Sequence, residues 1–189
     1  EFTKITEERL AMGTEVFGEH YKNFQFHKFL TVHMLVAYDV DFENNVLSMH
    51  LAAKTKGYIG IGIEPAMEHA MQNTDMVLGW VDDTTGEAFV TDRKAVGIDT
   101  PILDTDLGGT DDLYDVAGWQ TDNVTFLEFK RPLNTGDDQD QAIFDTSLVL
   151  NVVYAYSSAP SDALIYHGPN RGYQSLPLTI SCGDGTYLE

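Results

Sequence analysis

The stretch DMVLGWVDDTTGEAFVTDRKA, residues 75–95, reads as two strands around a tight turn. Its arms, DMVLGWV (75–81) and EAFVTDRKA (87–95), are rich in β-branched and aromatic residues. Between them, Asp82-Asp83-Thr84-Thr85-Gly86 supplies the polar residues and the glycine that a hairpin turn requires. The same rhythm runs outward in both directions. DLYDVAGWQ (112–120) and VTFLEFKRPL (124–133) flank Thr121-Asp122-Asn123, and LTVHMLVAYDV (30–40) returns as VLSMHLAAK (46–54) after the turn FENN (42–45). SLVLNVVYAYS (147–157) reads as a fully buried strand, and LPLTIS (176–181) closes the sheet. GYIGIGI (57–63) interleaves glycine with isoleucine. Repeated glycine weakens a strand, so it implies either something flat or a backbone lying close to one face, or crowding between two sheets. About ten short strands with turn signals between them predict an all-β fold, an antiparallel β-sandwich of immunoglobulin-like type. Helical periodicity is confined to KITEERLAMGTEVF (4–17), with almost no helix expected after residue 20.

A chain of 189 residues with 43% hydrophobic content suffices for one domain with its own core. The expected division is an N-terminal extension (1–24), the sandwich (25–181) and a C-terminal tail (182–189). A net charge of −19 argues against nucleic acid or an anionic membrane surface as partner, and favours a solubilising surface, cation sites or a basic redox partner. No apolar run approaches the ~20 residues of a spanning helix, so no membrane insertion is expected. No signal peptide is visible and the chain opens on EFTKIT, as a mature or trimmed form does. Cys182 is the single cysteine, which excludes an internal disulfide and leaves an intermolecular one as its expected use in a secreted protein. Asn123-Val124-Thr125 is a glycosylation sequon at a predicted turn. Together these point to a glycoprotein that is secreted or extracellular, with the cell surface as one such location.

Two residues carry the candidate chemistry. Met71 stands four residues before Asp75, just ahead of an apolar strand, and His167 opens a Gly/Pro/Asn turn before the final strand. A thioether and an imidazole can hold a haem iron from both sides, and such ligation leaves no open position for oxygen chemistry. Cys-x-x-Cys-His is absent, so the haem would be non-covalent, of b type. Met67, His69 and Met76 are competitors for Met71. No catalytic triad, phosphate loop or dinucleotide fingerprint is present, which argues against an enzyme in its own right. His33 and His50 are placed to face each other on paired strands as a weak metal signal, and Trp80 and Trp119 are assigned to the core.

GYIGIGI, then Met71-Gln72-Asn73-Thr74-Asp75, then VLGWVDD resembles the first half of a DOMON domain; LEFKRPLNTGD, VVYAY and YHGPNRG resemble the second. The likeness covers roughly residues 25 to 181. It is nearest in flavour to the DOMON domain of dopamine-hydroxylase-type copper monooxygenases, and more distant from the haem b cytochrome domains of fungal sugar dehydrogenases. The cytochrome branch implies Met71 and His167 as axial ligands and single-electron relay as function. Arg171 is then placed to pair with a haem propionate and Tyr166 to pack on the macrocycle edge. The monooxygenase branch implies a Ca²⁺ site built from Asp75, main-chain carbonyls near Met76 and Arg93, and Asp112 or Asp111, in a neighbourhood that includes Asp92. This chain has no room for the copper domains, and it carries Gly136 where the monooxygenases place a bridging cysteine. The alternatives are a haem-free binding or adhesion module for a sugar or small phenolic, stabilised by calcium, and a structural subunit of an extracellular assembly.

Overall fold

Period-two alternation of apolar side chains sets the architecture of the computed structural model, which describes residues 15–65 and 71–179. Among the described residues, one sheet takes the order β1-β2-β3-β9-β8. Its strands are β1 (Phe26–Thr31), β2 (Met34–Asp41), β3 (Val46–Ala53), β8 (Tyr114–Gln120) and β9 (Thr125–Pro132). The other sheet takes the order β11-β10-β4-β5-β6-β7. It is built from β4 (Ile59–Ile63), β5 (Thr74–Val81), β6 (Ala88–Ala95), β7 (Ile102–Leu103), β10 (Val149–Tyr156) and β11 (Arg171–Pro177). All pairings are antiparallel, and the two sheets enclose one core. Val36 and Tyr38 of β2, Met49 and Leu51 of β3, Ile59 and Ile61 of β4, and Leu127 and Phe129 of β9 meet there. Burial of each such side chain contributes about 1.5–3 kcal/mol relative to exposure. The Tyr38 hydroxyl ties the sheets together by donating to the Pro177 carbonyl at 2.6 Å.

The expected sandwich is therefore present, with differences of detail. The run 30–40 is not one strand. It breaks into β1 and β2 at Val32-His33, where the His33 N–H donates to Thr31 Oγ1 at 3.0 Å and Val32 is exposed. Alternation alone could not show that turn, because the apolar pattern passes straight through it. The last strand begins at Arg171, earlier than the apolar run suggested, and β7 is too short to leave a periodic signal. Residues 15–17 are helical, and the remainder of the expected N-terminal helix lies outside the described residues. Among the described residues after them, helical structure is confined to 3-10 turns at His20–Asn23 and Asp104–Leu107. Trp119 is not a core residue: it stacks on Phe126 on the outer face of the first sheet, centroids 5.0 Å apart, and is 38% exposed.

The glycines of β4 have a definite cause. Ile59, Ile61 and Ile63 face the core, so Gly60 and Gly62 face outward, not between the sheets. A Cβ on Gly62 would meet Met76 Sδ at 2.5 Å, Val153 Cγ2 at 2.6 Å and Thr74 Cγ2 at 2.7 Å. Neighbouring side chains thus fill the space that a larger residue would need. Gly62→Ala is expected to cost about 1–3 kcal/mol through overpacking. Gly97→Ala, where nothing lies within 4 Å, should change stability by no more than about 0.5 kcal/mol. Urea unfolding midpoints decide it, and equal midpoints for the two variants would contradict the packing.

Candidate metal centre and ligand face

The strand register that packs the core also carries charge into its end. In β5, Val77 and Val81 point inward, so Asp75 does too; in β6, Asp92 follows the inward Val90. From the opposite sheet, Leu127 and Phe129 of β9 are succeeded on the same face by Arg131. Arg131 and Asp75 are fully buried, and Arg131 Nη1 donates to Asp75 Oδ2 at 2.7 Å. Nη2 of the same guanidinium lies 3.2 Å from Asp140 Oδ2. The Gln141 N–H also donates to Asp75 Oδ2, at 2.9 Å, and the Asp112 N–H to Asp92 Oδ2, at 3.0 Å. Asp104, on the 3-10 turn Asp104–Leu107, is buried beside them.

One guanidinium does not balance four buried carboxylates. Asp75 Oδ1, Asp92 Oδ1 and both oxygens of Asp104 have no hydrogen-bond partner. Burial pushes the Asp92 carboxyl up to about 8, with the nearby Asp140 adding to it. Burial likewise raises Asp104 to about 7, helped by Asp140 and Asp75. Asp140 is raised by burial against the opposing pull of Arg131. Ligand oxygens of Asp75, Asp92 and Asp140 lie within 4.8 Å of one another. Oxygens bound to one Ca²⁺ at 2.3–2.6 Å are at most about 5 Å apart, so the cluster fits a single hard cation.

The expected membership changes at one place. Asp112 is not in the trio: its main chain orients Asp92, while its carboxylate accepts from Thr110 Oγ1 at 2.7 Å. Asp111 likewise accepts from the Leu113 N–H. Met76 and Arg93 are cross-strand partners, each one residue beyond an inward aspartate. Their side chains turn away: Met76 packs on the outer face, and Arg93 donates to Thr91 Oγ1 and the Pro101 carbonyl. Sequence reasoning missed Asp140 and Asp104 as members. Their acidic runs, 137–140 and 104–106, do not follow an EF-hand pattern, and only the fold brings Asp140 to Arg131 and Asp104 beside Asp75 and Asp140.

Met71 and His167 flank the outer face of the second sheet. Since β5 and β11 run in opposite directions, the segments before them enter from opposite ends. Half-buried Met71 packs on Tyr58, Met76, Leu78, Ala95 and Val153, together with Trp80, Leu164 and Tyr173. His167 is half-buried, with Nδ1 2.9 Å from the Gly168 carbonyl, the kind of contact that orients the other ring nitrogen for a ligand. The Tyr58 hydroxyl donates to the Ile165 carbonyl at 2.9 Å and pins the intervening loop to the sheet. Arg171 Nη1 donates to the Tyr166 hydroxyl at 2.6 Å and to the Gly168 carbonyl at 3.0 Å. Tyr166 is 73% exposed and sits outside the apolar cluster. The donor types fit haem b. The face between them is filled by the chain's own side chains, so a macrocycle needs Met71, Leu164 and Tyr173 to lift from it. Met67, His69 and Cys182 lie outside the described residues. A separate cleft of about 440 Å³ at the sandwich end is polar, lined in part by Lys54, Lys56 and Asn123, and adjoins neither Met71 nor the aspartates.

The sign of the pH dependence follows for metal-free protein. Folded Asp92 and Asp104 hold protons up to about 8 and about 7, against an ordinary 3.8, so the native state binds more protons in that window. Stability in chelator should therefore fall as pH rises from about 4 to about 8. Asp92→Asn should flatten the fall, and melting curves across that range check both. A stability that rises across the window would overturn the assignment.

The chain matches the family model of the DOMON domain over residues 31–157. It is 31% identical over 145 residues to MOXD1 homolog 1 of Drosophila melanogaster, covering 74% of this chain and 20% of that protein. It is 27% identical over 132 residues to DBH-like monooxygenase protein 1 of Homo sapiens, covering 70% of this chain and 20% of that protein. The chain thus spans about a fifth of the length of these relatives. Among solved structures, the cytochrome b domain of pyranose dehydrogenase from Coprinopsis cinerea shares the fold. Its TM-score is 0.55 at 17% identity, over 77% of this chain and 76% of that one. The β-sandwich and the family match together place this chain in the DOMON domain family.

Proposed function

We propose that this DOMON domain is a calcium-stabilised binding module of a secreted protein. The observation that carries the reading is the set of buried carboxylate oxygens without partners at Asp75, Asp92 and Asp104. A divalent cation held by Asp75, Asp92 and Asp140 neutralises charge that Arg131 alone does not, and cross-links β5, β6 and the segment after β9. Two unit charges ~4 Å apart repel by about 4 kcal/mol at an effective dielectric near 20, so loss of the ion loosens this end of the sandwich. Weak extracellular calcium modules work at about 10⁻⁴–10⁻³ M, which suits a site already crossed by a guanidinium. Chelation should lower the melting temperature, and calcium should restore it by mass action. Asp75→Asn should blunt the response. A melting curve indifferent to chelator and to excess calcium, in protein verified metal-free, would falsify this reading.

A second reading rests on Met71 and His167 at the two ends of the glycine-backed outer face. In it the face carries non-covalent haem b, and the domain relays single electrons to or from a redox partner, a basic one complementing the net charge of −19. A bound haem supplies the one-electron chemistry. The chain's own part is to present the Met71 thioether and the oriented His167 imidazole, with Arg171 near the rim for a propionate. Without haem, the same apolar face with a tyrosine at each side suits a sugar or small phenolic. Haem reconstitution separates these outcomes: a Soret band with sharp reduced bands is expected for the cytochrome reading. His167→Ala should then abolish binding or leave it high-spin, and Met71→Ala should keep haem but lower the potential. Folded protein that stays colourless ends this second reading and leaves the calcium module intact.

A further inference from the structure

The outer face of the first sheet carries a second set of ligand atoms, unrelated to the aspartates. His50 of β3 and Glu128 of β9 are direct cross-strand partners. His20, on the 3-10 turn His20–Asn23, folds down onto them. Glu128 Oε1 is 2.5 Å from His20 Nε2 and 2.9 Å from His50 Nδ1. One ligand atom from each residue lies within 4.8 Å of the other two.

We propose that His20, His50 and Glu128 form a binding site for a zinc-class divalent cation, with a coordination position open to solvent. Two imidazoles and one carboxylate are a borderline donor set that suits zinc and neighbouring transition metals rather than calcium. Three protein ligands leave a fourth position for water, and the exposure of the site matches that count. His50 is fully buried, whereas the His20 and Glu128 side chains are 47% and 27% exposed. A small cavity of about 80 Å³ opens beside Glu128, next to Phe24 and Lys130.

The surroundings prepare the imidazoles as ligands. The His50 ring lies among Phe24, Trp119 and Phe126, with centroids 5.6 to 6.0 Å away. Trp119 also meets His20 edge-on at 5.7 Å. These rings exclude water and fix the plane of the buried imidazole. Burial also lowers the His50 pKa, against the pull of Glu128, and so favours the neutral form that binds metal. His50 Nε2 is buried with no hydrogen-bond partner. When Nδ1 binds the cation, this Nε2 carries the ring proton, so the imidazole ligates as its neutral tautomer.

The distances describe the proton-bridged form of such a site. Ligand atoms on one tetrahedral zinc at 2.0–2.1 Å stand about 3.3 Å apart, wider than the present contacts to Glu128. The cation takes the place of the bridging hydrogens and lengthens the two contacts to Glu128 by under about 1 Å, a shift that His20 can make because it rides on a short surface turn. Protons and metal therefore compete, and binding weakens on acidification.

Titration with zinc, in protein already saturated with calcium, tests this. The expected result is one further ion per chain, with a change in Trp119 fluorescence. Cobalt in its place should give the visible bands of a tetrahedral site. His20→Ala, at an exposed position, should weaken binding by at least about tenfold, and Glu128→Gln should do the same. Absence of binding to the wild-type chain means a hydrogen-bonded latch only, and overturns the proposal. So does zinc binding that neither substitution weakens in variants that melt as the wild type does.

Discussion

A guanidinium buried between two sheets constrains this sandwich more than any single apolar contact. Arg131 occupies an inward position of β9 where the pattern calls for another Leu or Phe, and it arrives among inward aspartates from the facing sheet. A buried charge is tolerable only when paired and hydrogen-bonded. Removing the arginine from such a cluster characteristically costs about 3–5 kcal/mol, since uncompensated carboxylates are left behind. Even with it, and with Lys94 acting on Asp104, the four carboxylates are not balanced, and protons or a divalent ion would supply the remainder. Protons supply it at low pH; near neutrality a hard cation is the better counter-charge.

That constraint reaches the ligand face through the chain itself. Met71 and Asp75 are joined by a turn in which the Thr74 N–H donates to the Met71 carbonyl at 3.1 Å and Asn73 takes a left-handed φ of 56°. Asp75 then points into the sandwich while the thioether lies on its outside. If Asp75 holds a cation, its loss should disturb the start of β5 and with it the packing of Met71 on the outer-face cluster. The two sites thereby share one short segment. The histidine cluster has no such link, since it lies on the outer face of the other sheet, so the two proposed metal sites should load independently.

Much of the sheet was legible because its signals are local. The Asp82–Gly86 turn announces itself: Asp82 Oδ1 accepts from the Thr84 and Thr85 N–H groups at 2.9 and 2.6 Å, and Gly86 takes a φ of 73°. Asp75 was singled out through the DOMON resemblance, and the structure buries it at the head of an apolar strand. Asp140 and Asp104 were not, because loops bring Asp140 to Arg131 and Asp104 beside Asp75 and Asp140, and Arg131 itself reads as a strand-end charge until the register of β9 is known. His33 and His50 do not face each other: the β2–β3 register leaves His33 beside Lys54 and sets His50 opposite Ala37, with Glu128 on its other side. His20 could not be joined to them from sequence at all, since a 3-10 turn of four residues leaves no periodic trace.

The aspartate cluster, as proposed, exchanges protons for a divalent cation. Calorimetric titration of calcium into chelator-stripped protein at neutral pH measures this exchange directly when repeated in buffers of different ionisation enthalpy. The account predicts one ion bound per cluster with release of protons, since Asp92 and Asp104 hold theirs to about 8 and about 7 in the metal-free fold. It also predicts that Asp92→Asn weakens the binding and reduces the proton release together. Absence of binding, or binding with no proton release that Asp92→Asn leaves unchanged, contradicts it.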